Sequence, residues 1–175
     1  MQTKSGRLGT QGEHVLPGAC YKVLMRREFS AGGVVIRRLR GDWFFAAIRP
    51  AGKKPGLWAL PKGNIAPDEK PDATAIREVA EETGVQARLV TKLGDVRYVY
   101  TESWEGGSGE RVFKVVSFFL AHALRGRVGD LPVGMDREVA EARWLPLADG
   151  PRLLAYKGER EMAGKAIETL ANDPL

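Results

Sequence analysis

The segment from Gly63 to Val85 decides the fold, and it reads GNIAPDEKPDATAIREVAEETGV. Pro71 suits the first turn of a helix, and Gly84 suits the position just past a helix end. These two signals predict an α-helix over residues 71–83. Small and branched apolar residues recur along it, so one side of this helix is expected to pack against the rest of the protein.

Three glutamates follow the helical repeat in this segment. Glu78, Glu81 and Glu82 stand at i, i+3 and i+4 and therefore share one helical face. Like charges at this spacing repel by roughly a few tenths of a kcal/mol per pair. Carboxylate oxygens on a rigid element are hard ligands that suit Mg²⁺ or Mn²⁺. The spacing alone leaves two interpretations: a divalent-metal site or a solvent-facing acidic helix.

Arg77 precedes the first of these glutamates and is turned roughly 100° away from it around the helix. From that position its guanidinium is expected to reach Glu69 or Glu81. The residues before the helix are expected to form a loop, in which Gly63 lets the backbone approach a ligand closely. Its carbonyl oxygen would complete a metal shell.

Basic residues precede the acidic helix and offer contacts for phosphate oxygens. The candidates are Lys62 and three residues of a Pro- and Gly-containing loop: Arg49, Lys53 and Lys54. The alternative for these side chains is solvated surface charge. Metal-binding carboxylates beside phosphate-binding bases would describe a phosphoryl-transfer site.

The composition of the whole chain excludes several other classes of protein. Its 175 residues are 43% hydrophobic and 28% charged, typical of one globular domain with a substantial core. A single cysteine excludes an internal disulfide framework, and two histidines are too few for a histidine-rich zinc site. No apolar run approaches the roughly 20 residues of a membrane helix, and the start resembles no secretory signal. A soluble cytoplasmic protein without a membrane partner is therefore expected.

Charge is distributed unevenly along the chain. Residues 1–62 carry 12 basic and three acidic side chains, whereas residues 63–175 carry 15 basic and 19 acidic ones. The first part, at +9, would attract polyanions, and the second, at −4, would attract metal cations. Nucleic-acid binding and a merely solvated basic surface also fit the first part.

The order of predicted elements indicates one α/β domain. Residues 1–27 are expected to form an N-terminal extension and residues 28–175 the domain, with a flexible hairpin loop over residues 102–110. Strands are predicted at 29–38, 43–48, 87–101, 111–123 and 140–146, a short extended piece at 57–61, and further helices at 151–156 and 159–171. Strands surround one central helix, which favours a mixed sheet between helices.

Residues 63–85 resemble the Nudix box, G-x5-E-x7-R-E-U-x-E-E-x-G-U, where U is a bulky aliphatic residue. Every defined position is occupied, by Gly63, Glu69, Arg77, Glu78, Val79, Glu81, Glu82, Gly84 and Val85. A weaker resemblance in strand order extends over residues 29–171. The resemblance implies an α/β/α sandwich that hydrolyses a nucleoside diphosphate linked to another moiety, with water as the acceptor.

The resemblance also implies roles for individual residues. Mg²⁺ or Mn²⁺ would be bound by Glu78, Glu81 and Glu82 and by the carbonyl of Gly63. Arg77 would orient the box carboxylates, and Glu69 would act as a supporting acid. A glutamate outside the box often assists as general base, for which Glu138 and Glu141 are the candidates.

A second resemblance narrows the range of expected substrates. The run from Trp58 to Gly63 is similar to the W-x-x-P-K-G entry of diadenosine polyphosphate hydrolases. Tyr98 and Tyr100 alternate onto one strand face, where they would stack a base or simply pack on the sheet. Asn64 and Asp68 depart from that branch, which often has His and Gly at these positions.

A dinucleoside polyphosphate is therefore the expected substrate. The alternatives are a nucleoside triphosphate or its oxidised form, ADP-ribose, and the 5′ end of RNA. From a different class, a non-catalytic nucleotide-sensing or RNA-binding domain would use the basic face. The sequence leaves the oligomeric state open.

Overall fold

The computed structural model describes residues 25–102 and 109–172. Residues 1–24 of the predicted N-terminal extension lie outside these ranges, as do residues 103–108 of the predicted hairpin loop. The first strand begins at Arg26. The domain boundary at residue 28 stays a prediction.

Within the described ranges, one mixed sheet contains six strands. They are β1 (Arg26–Leu39), β2 (Asp42–Pro50), β3 (Lys62–Asn64), β4 (Val85–Glu102), β5 (Glu110–Gly126) and β6 (Val139–Pro146). Their order is β4-β5-β1-β2-β6, and β3 pairs with the first half of β1. The β1–β5 pair is parallel and the others are antiparallel. The strands predicted from the sequence are confirmed to within a few residues at each end.

The helices cover both faces of this sheet. They are α1 (Pro71–Thr83), α2 (Gly150–Leu153) and α3 (Lys157–Asn172), with 3-10 turns at Met135–Arg137 and Leu147–Asp149. On one face, Val79 of α1 packs in a cluster with Val35 of β1. On the other, Met162 of α3 packs in a cluster with Val34. Neighbouring strand residues point to opposite faces, so the predicted α/β/α sandwich is confirmed.

The bounds of α1 agree with the predicted helix residue for residue. Pro71 occupies the first turn, and the helix ends at Gly84, whose φ of 77° is left-handed. The N–H of Gly84 closes the last turn on the carbonyl of Ala80. The signals that begin and end this helix are local, which is why the sequence alone fixes its ends.

The predicted helix over residues 151–156 is wrong in its second half. Helix α2 ends at Leu153, and Leu154 is extended and buried. Leu154 pairs with Trp58, and the N–H of Ala155 donates to the Trp58 carbonyl. A contact between segments almost a hundred residues apart thus overrides the local helical preference.

The predicted loop before α1 is confirmed over residues 65–70 but begins later than expected, because Lys62 and Gly63 lie in strand β3. The chain crosses β1 very closely here, and a Cβ on Gly32 would lie 2.3 Å from the carbonyl oxygen of Pro61. Only glycine permits that approach. Strand pairing therefore holds the residues in front of α1 in a fixed position.

Every helix within residues 25–102 and 109–172 is too short or too polar to span a membrane.

Candidate active site

The carboxylate of Glu78 on α1 lies directly against the backbone of β3. A Cβ on Gly63 would fall 2.1 Å from the carboxyl carbon of Glu78. Glycine is therefore required at this position if the acid and the strand are to touch. Burial raises the pKa of Glu78, and the charge of Glu81 acts in the same direction.

Glu82 is one helical turn further along α1 and is only 7% exposed. Its Oε2 accepts the backbone N–H of Lys62 at 2.8 Å. Burial raises the pKa of Glu82 to about 7, opposed by this hydrogen bond and by the Lys62 charge. The charges of Glu78 and Glu138 raise it further. A carboxyl group in this position holds its negative charge at a cost.

Arg77 joins the acidic residues around it. Its Nε and Nη2 donate to the two carboxylate oxygens of Glu69, at 3.0 and 2.9 Å. Its Nη1 donates to Glu78 at 2.7 Å and to Glu81 at 2.9 Å. The sequence predicted contacts to Glu69 and Glu81, and the structure adds the one to Glu78. Chiefly through its hydrogen bonds, Arg77 holds the pKa of Glu69 at about 2.

The donor chemistry of this cluster fits a hard divalent cation. Glu78 and Glu82 are buried beside other carboxylates, and such repulsion is relieved by a bound cation. The geometry is not that of a closed cage. In the described ranges, no three His, Cys, Asp or Glu side chains are gathered as a metal site. Instead, Glu78 and Glu81 share Nη1 of Arg77.

The two candidate general bases lie in different surroundings. Glu138 follows the 3-10 turn before β6, and its charge raises the pKa of both Glu78 and Glu82. Its carboxylate has no hydrogen-bond partner among the residues that the structure describes. Glu141 instead pairs with Arg49, at 3.4 Å, and with Arg143. The charge of Glu138, rather than that of Glu141, therefore acts on the acidic cluster.

A cavity of about 940 Å³ opens on the α3 face of the sheet. Of the predicted substrate-binding residues, four line it: Lys53, Lys62, Tyr98 and Tyr100. Arg49 and Lys54 do not line this cavity. Tyr98 is 40% exposed, so packing against the sheet leaves part of this residue accessible to a ligand. The hydroxyl of Tyr100 donates to Glu28 at 2.9 Å, which fixes that side chain at the wall.

Lys62 connects the cavity with the acidic cluster. Its backbone N–H faces Glu82, while its Nζ lies 3.3 Å from Glu159 of α3. Burial disfavours the ammonium, but the carboxylates of Glu159 and Glu82 outweigh it and raise the pKa of Lys62. One residue thus contacts carboxylates from both helix layers.

The sequence interpretation missed Glu159. This glutamate shares the helical repeat of the core residues on α3, and it is only 3% exposed. An acidic residue at a core position of an amphipathic helix was the available signal, because a buried charge requires a partner.

Comparisons with known proteins agree with this arrangement. A family model described as the NUDIX domain matches residues 27–165. A Mycobacterium tuberculosis protein named MutT4 is 40% identical over 153 residues, which are 83% of this chain and 58% of that protein. This chain therefore spans little more than half the length of that relative.

This chain is also similar to a second relative and to a protein of known structure. An RNA pyrophosphohydrolase of Erythrobacter litoralis is 32% identical over 136 residues, which are 73% of this chain and 82% of that protein. The crystal structure of a C. elegans Ap4A hydrolase binary complex superposes with a TM-score of 0.62 at 25% identity. The superposed region covers 83% of this chain and 98% of the C. elegans chain.

Proposed function

Because the chain belongs to the NUDIX family, we propose that it hydrolyses a pyrophosphate bond in a nucleotide, with a dinucleoside polyphosphate as the substrate. One observation carries the proposal: Lys62 joins a buried acidic cluster to a cavity lined by lysines and tyrosines. The acidic cluster is suited to a divalent cation, and the cavity is suited to a phosphate chain that ends in a base.

The acidic side of the site would hold the cofactor. Glu78, Glu81, Glu82 and the carbonyl of Gly63 are the proposed ligands of Mg²⁺ or Mn²⁺. Bound there, the ion would neutralise negative charge on the phosphate oxygens. Arg77 orients the box carboxylates, and Glu69 supports Arg77 through its two hydrogen bonds.

Glu138 is the proposed general base. Its charge acts on Glu78 and Glu82, and within residues 25–102 and 109–172 its carboxylate forms no ion pair, whereas that of Glu141 pairs with Arg49. Glu138 would take a proton from a water molecule as the water oxygen attacks phosphorus in line. The P–O bond to the leaving phosphate breaks, and that phosphate keeps the bonding electrons. Because water is the acceptor, no covalent enzyme intermediate forms.

The cavity would bind the rest of the substrate. Lys53, Lys62 and Lys114 supply positive charge for a phosphate chain. The half-exposed ring of Tyr98 offers a surface on which a base can stack. The similarity to an Ap4A hydrolase supports a dinucleoside polyphosphate as the substrate. Arg49 and Lys54, which lie off this cavity, have no part in this proposal.

A second candidate substrate is the 5′ end of RNA. It is favoured by the similarity to an RNA pyrophosphohydrolase, 82% of whose length is covered, and by the +9 charge of residues 1–62. RNA would require further phosphate contacts beyond the cavity, so its binding would weaken steeply with salt.

A substrate screen tests these proposals. The purified chain is incubated with diadenosine tetraphosphate, 8-oxo-dGTP, ADP-ribose or 5′-triphosphate RNA, in Mg²⁺ or in EDTA, and the products are identified by mass. We expect Mg²⁺-dependent turnover with the highest kcat/KM on diadenosine tetraphosphate. A higher kcat/KM on 5′-triphosphate RNA would make the RNA 5′ end the substrate in place of a dinucleoside polyphosphate. If none of the four compounds is hydrolysed, the proposed activity is overturned.

A further inference from the structure

Glu159, the buried ion-pair partner of Lys62, has no role in the proposed reaction. Glu159 lies on the first turn of α3, and its carboxylate is shared between two groups. Its Oε2 accepts the backbone N–H of Leu60 at 2.9 Å, and its Oε1 lies 3.3 Å from Nζ of Lys62. A single carboxylate therefore contacts the backbone of Leu60, just before β3, and the side chain of Lys62, the first residue of β3.

The ammonium of Lys62 is held from two sides. Besides Glu159, its Nζ donates to the carbonyl of Leu60 at 3.4 Å. An ammonium has three N–H donors, so these two contacts leave one for a ligand. Lys62 lines the cavity and its side chain is 24% exposed, so the remaining donor has access to a bound anion.

We propose that Glu159 is a positioning residue, which sets the place of the Lys62 ammonium at the cavity wall and thereby the affinity of the site for a phosphate chain. The inference rests on the proposed function in taking phosphate to be the ligand of Lys62. Glu159 itself does not touch the substrate, because both of its carboxylate oxygens are occupied by Leu60 and Lys62.

Positioning and simple electrostatics predict opposite results when Glu159 is changed. Removing a negative charge from a cavity that binds an anion should strengthen binding, if charge is all that matters. Releasing the Lys62 ammonium from its place should weaken binding, because a charge-assisted hydrogen bond is lost. The sign of the change therefore distinguishes the two roles.

Glu161 provides a matched control. It lies on the same helix and lines the same cavity, but its side chain is 57% exposed and it pairs with the exposed Lys157, at 3.9 Å. Glu161→Gln removes the same charge as Glu159→Gln and leaves Lys62 in place. Glu159→Asp keeps the charge but draws the carboxylate back by one methylene, so that it cannot reach both Leu60 and Lys62.

The test measures binding of inorganic tripolyphosphate in EDTA by isothermal titration calorimetry, in which no turnover is needed. We expect Glu159→Gln and Glu159→Asp to raise Kd about five- to tenfold, the effect of one charge-assisted hydrogen bond. Glu161→Gln should leave Kd unchanged or lower it. In a Lys62→Met background, Glu159→Gln should have no further effect. If Glu159→Gln does not fold, Glu159→Asp, which keeps the charge and Lys62, carries the test.

The inference is overturned if Glu159→Gln lowers Kd as Glu161→Gln does, or if its effect persists without Lys62. Turnover of diadenosine tetraphosphate in Mg²⁺ separates this failure from that of the proposed function. There, Glu159→Gln should raise KM and leave kcat within about twofold. If the calorimetric pattern holds in a chain that hydrolyses no nucleotide, the substrate proposal fails and the positioning role stands.

Discussion

Two buried glutamates on opposite faces of the sheet accept backbone N–H groups two residues apart, at the start of β3 and just before it. Glu82 of α1 accepts the N–H of Lys62 at 2.8 Å, and Glu159 of α3 accepts the N–H of Leu60 at 2.9 Å. Both side chains are less than a tenth exposed. Burial raises the pKa of both carboxyl groups, and the charge of Lys62 lowers it at both. Their surroundings differ because Glu159 lies in ion-pair contact with the Lys62 ammonium, at 3.3 Å, whereas the carboxylates of Glu78 and Glu138 act on Glu82.

This difference separates a carboxylate that is already partnered from one that needs a cation. A buried carboxylate beside an ammonium is paired within the protein itself. Neighbouring carboxylates raise the pKa of a buried carboxyl group beyond the effect of burial alone, and such a group gains from a bound divalent ion. Equal burial and equal backbone contacts therefore do not imply equal roles, and the sign of the neighbouring charge decides between them.

The largest expected effect is on turnover when Glu82 loses its charge. Glu82→Gln keeps an oxygen that can accept the Lys62 N–H but removes a charged ligand from the proposed metal site. We expect kcat/KM in Mg²⁺ to fall by about 10³-fold or more, a transition-state effect of about 4 kcal/mol. Glu81→Gln should act in the same direction. Near-normal kcat/KM in both variants would contradict the metal assignment.

The general base gives the next largest effect. Glu138→Gln should lower kcat by about 10²- to 10³-fold, because proton transfer by a placed carboxylate contributes this much. Glu141→Gln is the matched control, since it loses ion pairs with Arg49 and Arg143 but lies off the acidic cluster. Its kcat should stay within about threefold. Equal losses in the two variants would remove Glu138 from its proposed role.

Stability should respond to pH through Glu82. A pKa raised to about 7 means that the folded state binds a proton more tightly than the unfolded state. Stability from this group is therefore full below its unfolded pKa of about 4.5 and is lost as pH rises through 7.

In EDTA, the unfolding free energy of the native chain should fall relative to Glu82→Gln by at most about 3 kcal/mol between pH 4.5 and 8. Urea denaturation of the two proteins at several pH values measures the difference. Parallel pH curves would show that Glu82 is not raised in pKa.

The smallest expected effect concerns the cavity cations. Lys53 lines the cavity and Lys54 does not, although the two are neighbours in sequence. Lys53→Ala should raise KM several-fold on diadenosine tetraphosphate and less on diadenosine diphosphate, because an exposed charge contributes about 1 kcal/mol or less. Lys54→Ala should change neither value. Identical results for the two lysines would exclude a cavity contact for Lys53.

Local signals in the sequence were sufficient for the acidic side of the molecule. Pro71 and Gly84 fixed both ends of α1, and the spacing of its glutamates placed them on one face. The reach of Arg77 to Glu69 followed from the same helical geometry. These inferences succeeded because every residue involved lies within about two dozen positions of the others along the chain.

The other side of the site depends on contacts between distant segments. Glu159 meets Lys62 from 97 positions away, and Leu154 is drawn out of the predicted helix by Trp58. Strand β3 was missed because its pairing with β1 depends on the close crossing at Gly32. Sequence periodicity indicates which face of an element is buried, but not which distant group it will meet.

Mn²⁺ binding in solution shows whether the acidic cluster on α1 is a cation site. Free Mn²⁺ is followed by electron paramagnetic resonance in titrations of the native chain, Glu81→Gln, Glu82→Gln and Glu161→Gln. We predict binding to the native chain and to Glu161→Gln with equal affinity, and at least about tenfold weaker binding to the other two, since each loses a charged ligand. Equal affinity in all four proteins, or no binding to the native chain, would show that the acidic cluster is not a cation site.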